Sequence, residues 1–435
     1  SWTRRQPMNY GTENVRMGFW DIRKFDLSKS NPDVLYLHSH RITYRSDDAG
    51  KTWRDASNHM LDEKHVRFSG RGNSNICVFG MQFHPLDPDK VLFYMADSGV
   101  KVSSDGGKSL FALEETMFGS NQWVEGAAFD PADPRKFYVL FNCRDWLLGG
   151  LRGYYFLKTN DFGKTFEGVS TPENGTLKLP PRLNLPEHLS NLRIDPASPA
   201  DQRRMLASNA RLNRQKLLDR YASLPKNQSP AGVVESTDGG KTWHASNQGL
   251  GELKEVVDLY SPDNMKTVYA AVAAHRKLDG KGGLYRSTDG GKSWMLIPSP
   301  CDSVTQVIAA KGTLYIAGGR LPTPQDSGNH GGVWKSTDGG RTWTKLFGAP
   351  LVNSLTVNPR DPDHLYCTVE DGAHGAIIPA VGIYRSADGG KTWNRINRGL
   401  AFPWGFMQFV WHPVRNELWL STYGSGCYKL IDNIQ

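Results

Sequence analysis

The chain has 435 residues, with 52 Lys plus Arg, 44 Asp plus Glu and a formal net charge of +8 at pH 7. No apolar run approaches the length of a membrane-spanning helix, so we predict no membrane span. The sequence has no nucleic-acid recognition motif and no zinc-type spacing of Cys and His, so we predict no nucleic-acid partner, no metal and no cofactor. The positive charge favours anionic ligands if it is concentrated on one surface.

One short turn sequence occurs seven times, with the pattern Ser/Thr-x-Asp-x-Gly-x-Thr/Ser-aromatic. An Asp carboxylate can accept backbone N–H groups in a tight turn, and Gly allows the positive φ that such turns need. The closing aromatic residue can fill the gap between neighbouring sheets. Such a unit cannot bury its apolar face alone, so the copies predict repeated, stacked sheets. The seven aspartates are Asp48, Asp105, Asp161, Asp238, Asp289, Asp338 and Asp388.

This pattern resembles the Asp box, or BNR repeat, of β-propellers in sialidases, family-74 xyloglucanases, sortilin-type receptors and photosystem assembly factors. The resemblance covers nearly the whole chain and implies an all-β fold with one propeller domain over residues 1–435. Those families share the turn but not the chemistry, so the resemblance alone implies no single activity.

The spacing of the boxes predicts one four-stranded blade for each box. Upstream of most boxes, an apolar strand ends at a residue before proline, as in Phe83-His84-Pro85. After the last box, residues 406–431 supply three further strands, and residues 1–5 resemble the end of a box and an outer strand. We therefore predict eight blades, with seven as the alternative, and a ring closed by residues 1–5 pairing with the C-terminal blade. A start inside a box also leaves room for an additional domain upstream.

Residues 183–231 are the least repetitive part and predict an insertion over the rim of the propeller. Within it, residues 203–221 are basic, rich in Leu and free of Gly and Pro, so their second half fits a short helix. Such an insertion either forms the wall of a groove or decorates the surface.

In a propeller, the loops between second and third strands rim one end of the central channel, and functional residues concentrate in such loops. In this chain these loops are rich in arginine and histidine, and the connection between the first two blades adds His59, His65, Arg67 and Arg71. A basic rim suits an anionic polysaccharide or oligosaccharide, because guanidinium groups bind carboxylates in bidentate fashion. The predicted substrate-binding residues are Arg41, Arg144, Arg211, Arg214, His275, Arg276, Arg320, His330 and His374, with Trp146 stacking on sugar rings.

Two hydrolase families fit the residues poorly. A sialidase-like site needs three arginines from inner strands, and only Arg23 and Arg193 are available. A xyloglucanase-like site has its catalytic Asp in an early blade, where residues 36–41 of this chain carry histidine. Hydrolysis commonly uses two carboxyl groups. The rim candidates, none within a distinguishing motif, are Asp21, Asp97, Glu125, Asp145, Glu370 and Asp371.

Polysaccharide lyases offer a third chemistry. They remove the proton next to a uronate carboxylate, which requires a base and a cation that stabilises the resulting negative charge. His38 or His40, with Arg41 on the same loop and Tyr423 opposite, predicts such a catalytic set.

Two classes of function follow from these patterns. The first is a secreted enzyme, extracellular or periplasmic, that cleaves a uronic-acid-containing polysaccharide as a lyase or glycoside hydrolase. The second is a non-catalytic propeller that binds a protein or a glycan.

Overall fold

The computed structural model consists of strands in eight antiparallel sheets, which confirms the all-β prediction. It describes residues 22–39, 43–56, 58–62, 67–70, 77–96, 99–112, 122–143, 153–169, 179–183, 189–208, 232–251, 255–274, 282–320, 331–370, 381–398, 400, 405–423 and 426–431.

The first four sheets cover the N-terminal half of the chain, and each is named by its place in chain order. Sheet 1 contains β1 (Ile22–Leu27), β2 (Leu35–Ser39), β3 (Thr43–Ser46) and β4 (Arg54–Asp55). Sheet 2 contains β5 (Asn58–Asp62), β6 (Arg67–Gly70), β7 (Val78–Phe83), β8 (Val91–Met95), β9 (Gly99–Ser103) and β10 (Leu110–Ala112). Sheet 3 contains β11 (Gln122–Asp130), β12 (Asp133–Cys143) and β13 (Gly153–Thr159). Sheet 4 contains β14 (Ser190–Ile194), β15 (Met205–Ser208), β16 (Val233–Ser236) and β17 (His244–Ala245).

The last four sheets follow the same plan. Sheet 5 contains β18 (Val256–Tyr260), β19 (Val268–Val272), β20 (Gly283–Ser287) and β21 (Met295–Ile297). Sheet 6 contains β22 (Val304–Ala310), β23 (Thr313–Gly318), β24 (Gly331–Ser336) and β25 (Thr344–Ala349). Sheet 7 contains β26 (Val352–Val357), β27 (Leu365–Val369), β28 (Gly382–Ser386) and β29 (Asn394–Arg395). Sheet 8 contains β30 (Gly405–Trp411), β31 (Glu417–Tyr423) and β32 (Cys427–Ile431).

Each Asp box is a turn held by its own side chains, as the box of sheet 6 shows. The Asp338 carboxylate accepts the Ser336 hydroxyl at 2.7 Å, the Thr342 amide at 2.9 Å and the Thr342 hydroxyl at 2.6 Å. Gly340, at φ +90°, donates its amide to the Ser336 hydroxyl at 2.8 Å. The same serine or threonine pairs with the box aspartate in all six other copies.

An eighth turn of this kind escaped the sequence pattern. In the β18–β19 hairpin, Thr267 donates its amide to the Asp263 carboxylate at 2.7 Å, and Met265 donates its amide to the Ser261 hydroxyl at 2.8 Å. Met265 takes the place of the box glycine and has a φ of +65°. A pattern that requires Gly at this position cannot find the turn.

Side chains on the inner strands join one sheet to the next. Every inner strand of sheets 2 to 8 has a register irregularity near its start. In sheets 5 and 6, the residue after the irregularity accepts a backbone amide from the following inner strand. Asp258 accepts the Val307 amide at 3.3 Å, and Gln306 accepts the Leu355 amide at 2.6 Å.

Sheet 8 packs against sheet 2. The Gln408 side chain accepts the Met81 amide at 3.3 Å, although 327 positions separate the two residues. The Phe83 ring lies 5.7 Å from the Trp419 ring and 4.7 Å from the His412 ring, measured between centroids. The other inner strands contact their neighbours in chain order from sheet 2 to sheet 8. Sheets 2 to 8 therefore follow one another in a closed succession of contacts.

The predicted eight-bladed ring is not confirmed. Sheet 8 meets sheet 2 rather than sheet 1, because Gln408 and Trp419 occupy the face of β7. The apolar cluster of sheet 1, formed by Leu35, Tyr44 and Trp53, stays within that sheet. Residues 1–5, which were predicted to close the ring, lie outside the described residues.

Two further expectations about connecting segments are corrected. The connection between sheets 1 and 2 was expected at the channel rim, but β6 pairs with β10 and extends the outer edge of sheet 2. The backbones of His59 and Arg67 therefore lie at the periphery. Part of the predicted insertion at 183–231 supplies β14 and β15 of sheet 4, so the described residues 189–208 belong to a regular sheet. The predicted helical half lies outside the described residues.

We predict that the boxes make the fold sensitive to acid. Hydrogen bonds from the side chain and backbone of Thr52 lower the pKa of Asp48 from 3.8 to about 2. A pKa that is lower in the folded state contributes stability above the unfolded value and loses it as the pH falls. The free energy of unfolding should thus decline between about pH 4 and pH 2, and decline less in Asp48→Asn. Urea unfolding at several pH values measures this. The exposed Asp33→Asn is the control, and equal slopes for all three proteins would contradict the prediction.

We also predict that Gln408 stabilises the closed succession of sheets. Gln408→Ala leaves the buried Met81 amide without its acceptor and should lower the free energy of unfolding by about 1–3 kcal/mol. Gln408→Glu keeps an acceptor and should stay close to the parent protein. Urea unfolding compares the three, and a Gln408→Ala protein as stable as its parent would show that this contact is dispensable.

Candidate functional site

In each of the eight sheets a connection joins the second strand, counted from the inner strand, to the third, as between Ser39 and Thr43 in sheet 1 and between Met95 and Gly99 in sheet 2. Antiparallel pairing puts these loops at the end of the sheets opposite the Asp boxes. This end of the central channel is the candidate functional site.

Most of the predicted site residues fall outside the described residues. The structure describes Tyr423, Arg320 and the backbone of His38. The predicted catalytic and substrate-binding set therefore stays a prediction. Its undescribed members are His40, Arg41, Arg144, Trp146, Arg211, Arg214, His275, Arg276, His330 and His374.

Tyr423 lies at the rim between sheets 8 and 2. It is the last residue of β31, and its ring stacks on Phe79 with centroids 6.1 Å apart and planes at 25°. The buried Cys77 and Ala96 complete this apolar cluster. The Tyr423 ring is therefore fixed by packing from both sheets.

The Glu370 carboxylate lies at the rim end of sheet 7 and contacts the start of β30 in sheet 8. Glu370 follows β27, and its Oε1 accepts the Phe406 amide at 2.7 Å and the Asn353 Nδ2 at 3.1 Å. A Cβ atom at Gly405 would lie 3.7 Å from Glu370 Oε1 and 3.8 Å from Tyr423 Cβ. Glu370 and the base of the Tyr423 side chain therefore both border Gly405.

Arg320 is at the same end of the channel but in sheet 6. Its Nη2 donates to Asp302 Oδ2 at 2.6 Å, and the two side chains are 43% and 46% exposed. Sheet 7 separates Arg320 from Tyr423 in the order of sheets. The Asp302 carboxylate compensates the positive charge that was predicted to bind an anion.

The backbone of His38 lies in β2 of sheet 1. Among the described strands, those of sheet 1 are not part of the closed succession of sheets 2 to 8. The predicted catalytic set of His38, His40 and Tyr423 needs both sheets at one site, and it stays a prediction.

A cavity of about 190 Å³ lies inside the channel, below the rim. It is formed by the inner strands of six sheets and by β8. We call it the channel cavity, and its lining residues are Phe79, Tyr94, Asn191, Arg193, Val257, Asp258, Tyr260, Thr305, Gln306, Val307, Ile308, Asn353, Met407 and Gln408.

The channel cavity contains one ion pair. Arg193 Nη2 lies 3.6 Å from Asp258 Oδ1, and Arg193 Nε donates to the Leu259 carbonyl at 2.7 Å. Burial raises the pKa of Tyr94 to about 12 and also raises the pKa of Tyr260, so both phenols stay protonated at neutral pH. Sequence reasoning noticed Arg193 only as an inner-strand arginine. The sequence does contain a signal for this cavity, because several otherwise apolar inner strands each contain one polar residue.

Within the ranges that the structure describes, no group of three or more His, Cys, Asp or Glu residues could hold a metal ion. The same ranges contain no helix of the length and apolarity that crossing a membrane requires.

Comparisons with known proteins agree with this architecture. The BNR/Asp-box repeat family matches residues 234–245. Xyloglucanase Xgh74A of Acetivibrio thermocellus is 29% identical over 231 residues, which cover 47% of this chain and 23% of that protein. The GH74 enzyme of Niastella koreensis has a TM-score of 0.55 at 20% identity, over 83% of this chain and 53% of the enzyme. YCF48 bound to D1 peptide has a TM-score of 0.52 at 12% identity, over 83% and 93% of the two chains.

These comparisons differ in what they establish. The two likenesses to solved structures show the propeller fold, because their sequence identities are low. The chain spans about a quarter of the length of Xgh74A and about half that of the GH74 enzyme.

We predict that Glu370 also fixes the rim. Glu370→Ala removes the acceptor of the buried Phe406 amide and should lower the free energy of unfolding by about 1–3 kcal/mol. Glu370→Gln keeps an oxygen at this position and should cost less. Thermal or urea unfolding distinguishes the two variants, and an equal loss in both would show that the charge rather than the acceptor matters.

Proposed function

Because the chain belongs to the Asp-box β-propeller superfamily, we propose that it is a carbohydrate-active propeller that hydrolyses a polysaccharide at the rim of its channel. The observation that carries this proposal is the 29% identity to a xyloglucanase over 231 residues. The proposed substrate is a xyloglucan-like polysaccharide. A protein that acts on such a polymer would work in an extracellular or periplasmic location.

Glycoside hydrolysis commonly needs one protonated carboxyl group and one carboxylate. Glu370 is proposed for the second role, because it lies at the rim end of sheet 7 and hydrogen bonds from the Phe406 amide and Asn353 Nδ2 fix one of its oxygens. The rim loops carry Asp97, Asp145 and Asp371, which lie outside the described residues. We propose that the proton donor is among these three.

The ring that supports this site is proposed to contain seven blades, sheets 2 to 8. The contact of Gln408 and Trp419 with β7 supports this count. The described part of sheet 8 has three strands, with β32 at its edge. Residues 1–5 are proposed to pair with β32 as the outer strand, which keeps the predicted closing strand in a ring of seven.

Xyloglucan and a panel of uronic-acid polysaccharides test the reaction. We expect new reducing ends from xyloglucan, and a fall in kcat of about a hundredfold or more in Glu370→Gln, because general acid–base groups contribute this much. Tyr423→Phe keeps the stacked ring and should cost less. Glu167→Gln is the control, since Glu167 pairs with Lys158 at 2.9 Å beyond the Asp box of sheet 3.

The same panel separates the alternatives. Lyase chemistry at His38, His40 and Tyr423 would produce an unsaturated uronate with ultraviolet absorbance, and hydrolysis would not. Binding of a glycan or protein without any product would favour the non-catalytic propeller. Turnover that survives Glu370→Gln unchanged would remove Glu370 from the proposed mechanism.

A further inference from the structure

We propose that the channel cavity is a second binding site, which takes one neutral sugar ring and is distinct from the cleavage site at the rim. This binding site is separate from the proposed hydrolysis, because the shape of the cavity does not depend on a reaction at the rim. Four properties of the cavity support it, namely its size, its free amide groups, its charge and its access.

The size of the channel cavity suits a single ring. Its volume of about 190 Å³ is below the roughly 300–1,000 Å³ of pockets for drug-sized ligands. At about 30 Å³ for each water molecule, it has room for about six waters. An oligosaccharide would not fit inside, whereas one monosaccharide unit would.

Two glutamine side chains present oriented donors to the cavity. Gln306 and Gln408 both line it, and the Oε1 of each accepts a backbone amide of the neighbouring sheet. Those bonds fix each carboxamide, so its two Nε2 protons point away from the backbone that Oε1 contacts. Within the described residues, all hydrogen bonds of the two side chains are made by Oε1, and neither Nε2 is a buried atom without a partner. Both Nε2 groups are therefore accessible from the cavity.

The charge of the cavity favours a neutral ligand. Arg193 and Asp258 are the charged side chains among its described lining residues, and they pair with each other. Because the two charges lie side by side, the cavity has no net charge that would attract an anion or a cation. Sugar hydroxyls both donate and accept hydrogen bonds, so they can satisfy the amides and the carboxylate together. The rings of Phe79 and Tyr260 offer apolar surface for the faces of a sugar.

Access to the cavity is from the rim. Phe79, Asn353 and Met407 sit at the register irregularities near the starts of their inner strands, which begin at the rim end. Phe79 also stacks on Tyr423. We therefore expect a sugar unit to enter from the rim end, below the proposed cleavage site.

Isosteric variants test this site. Gln306→Glu and Gln408→Glu keep the oxygen that holds the neighbouring sheet and replace the Nε2 donor with a carboxylate oxygen. Gln82→Glu is a matched control, because Gln82 accepts the Phe129 amide at 2.8 Å in the same way but does not line the cavity. Saturation-transfer NMR and calorimetry measure the binding of D-glucose, D-xylose and D-galactose, with D-glucuronate as the anionic probe.

We expect at least one neutral monosaccharide to bind the parent protein with a Kd of about 1–10 mM. The affinity should fall about tenfold or more in both cavity variants and stay unchanged in Gln82→Glu. Absence of binding by all three neutral sugars, tighter binding of glucuronate, or equal affinity in the cavity variants and the control would overturn the proposal. Xyloglucan hydrolysis is measured in parallel. Turnover without monosaccharide binding would remove this site alone, and binding without turnover would remove the hydrolase proposal alone.

Discussion

The packing of one sheet against the next depends on side chains that bind the backbone of the neighbouring inner strand. In the described residues, backbone pairing between neighbouring sheets is confined to isolated bridges such as Gly319 with Leu351, so side-chain contacts also set the register between sheets. Asp258, Gln306 and Gln408 each supply an acceptor for an amide of the following sheet. A side chain of fixed length sets the spacing of the inner strands. The same groups line the channel cavity, so the forces that align the sheets also shape its walls.

Local sequence predicted the blades well and their arrangement poorly. The box turn is determined by a few adjacent residues, so the sequence alone revealed all seven predicted boxes. Sheet 1 has every local property of a blade, including the Asp48 box and an inner-strand irregularity between Ile22 and Lys24. Whether a sheet belongs to the closed succession depends instead on contacts between residues far apart in the chain, such as Gln408 with Met81. No short-range pattern encodes a contact between residues so far apart in the chain.

The candidate site shows the same limit. Charge in the rim loops predicted the location, but Arg320 is compensated by Asp302, a residue that charge counting did not pair with it. Glu370 and Tyr423 both border Gly405, although Glu370 belongs to sheet 7 and Tyr423 to sheet 8. Sequence spacing could not reveal this proximity. The polar residues of the channel cavity are isolated positions within otherwise apolar strands. They come together only when all six sheets that line the cavity are folded and packed.

The two ends of the sheets differ in the kind of connection that they contain. Box turns occupy one end and are stabilised by residues within each turn, as in Ser336 and Asp338. The opposite end has connections that range from the short link after Tyr423 to the long segment between Ser208 and Val233. The turns are stable without these connections. A change in the length or sequence of one loop can therefore alter ligand specificity while the sheets stay intact. Such a scaffold is tolerant of evolutionary change where it meets its ligands and intolerant of it elsewhere.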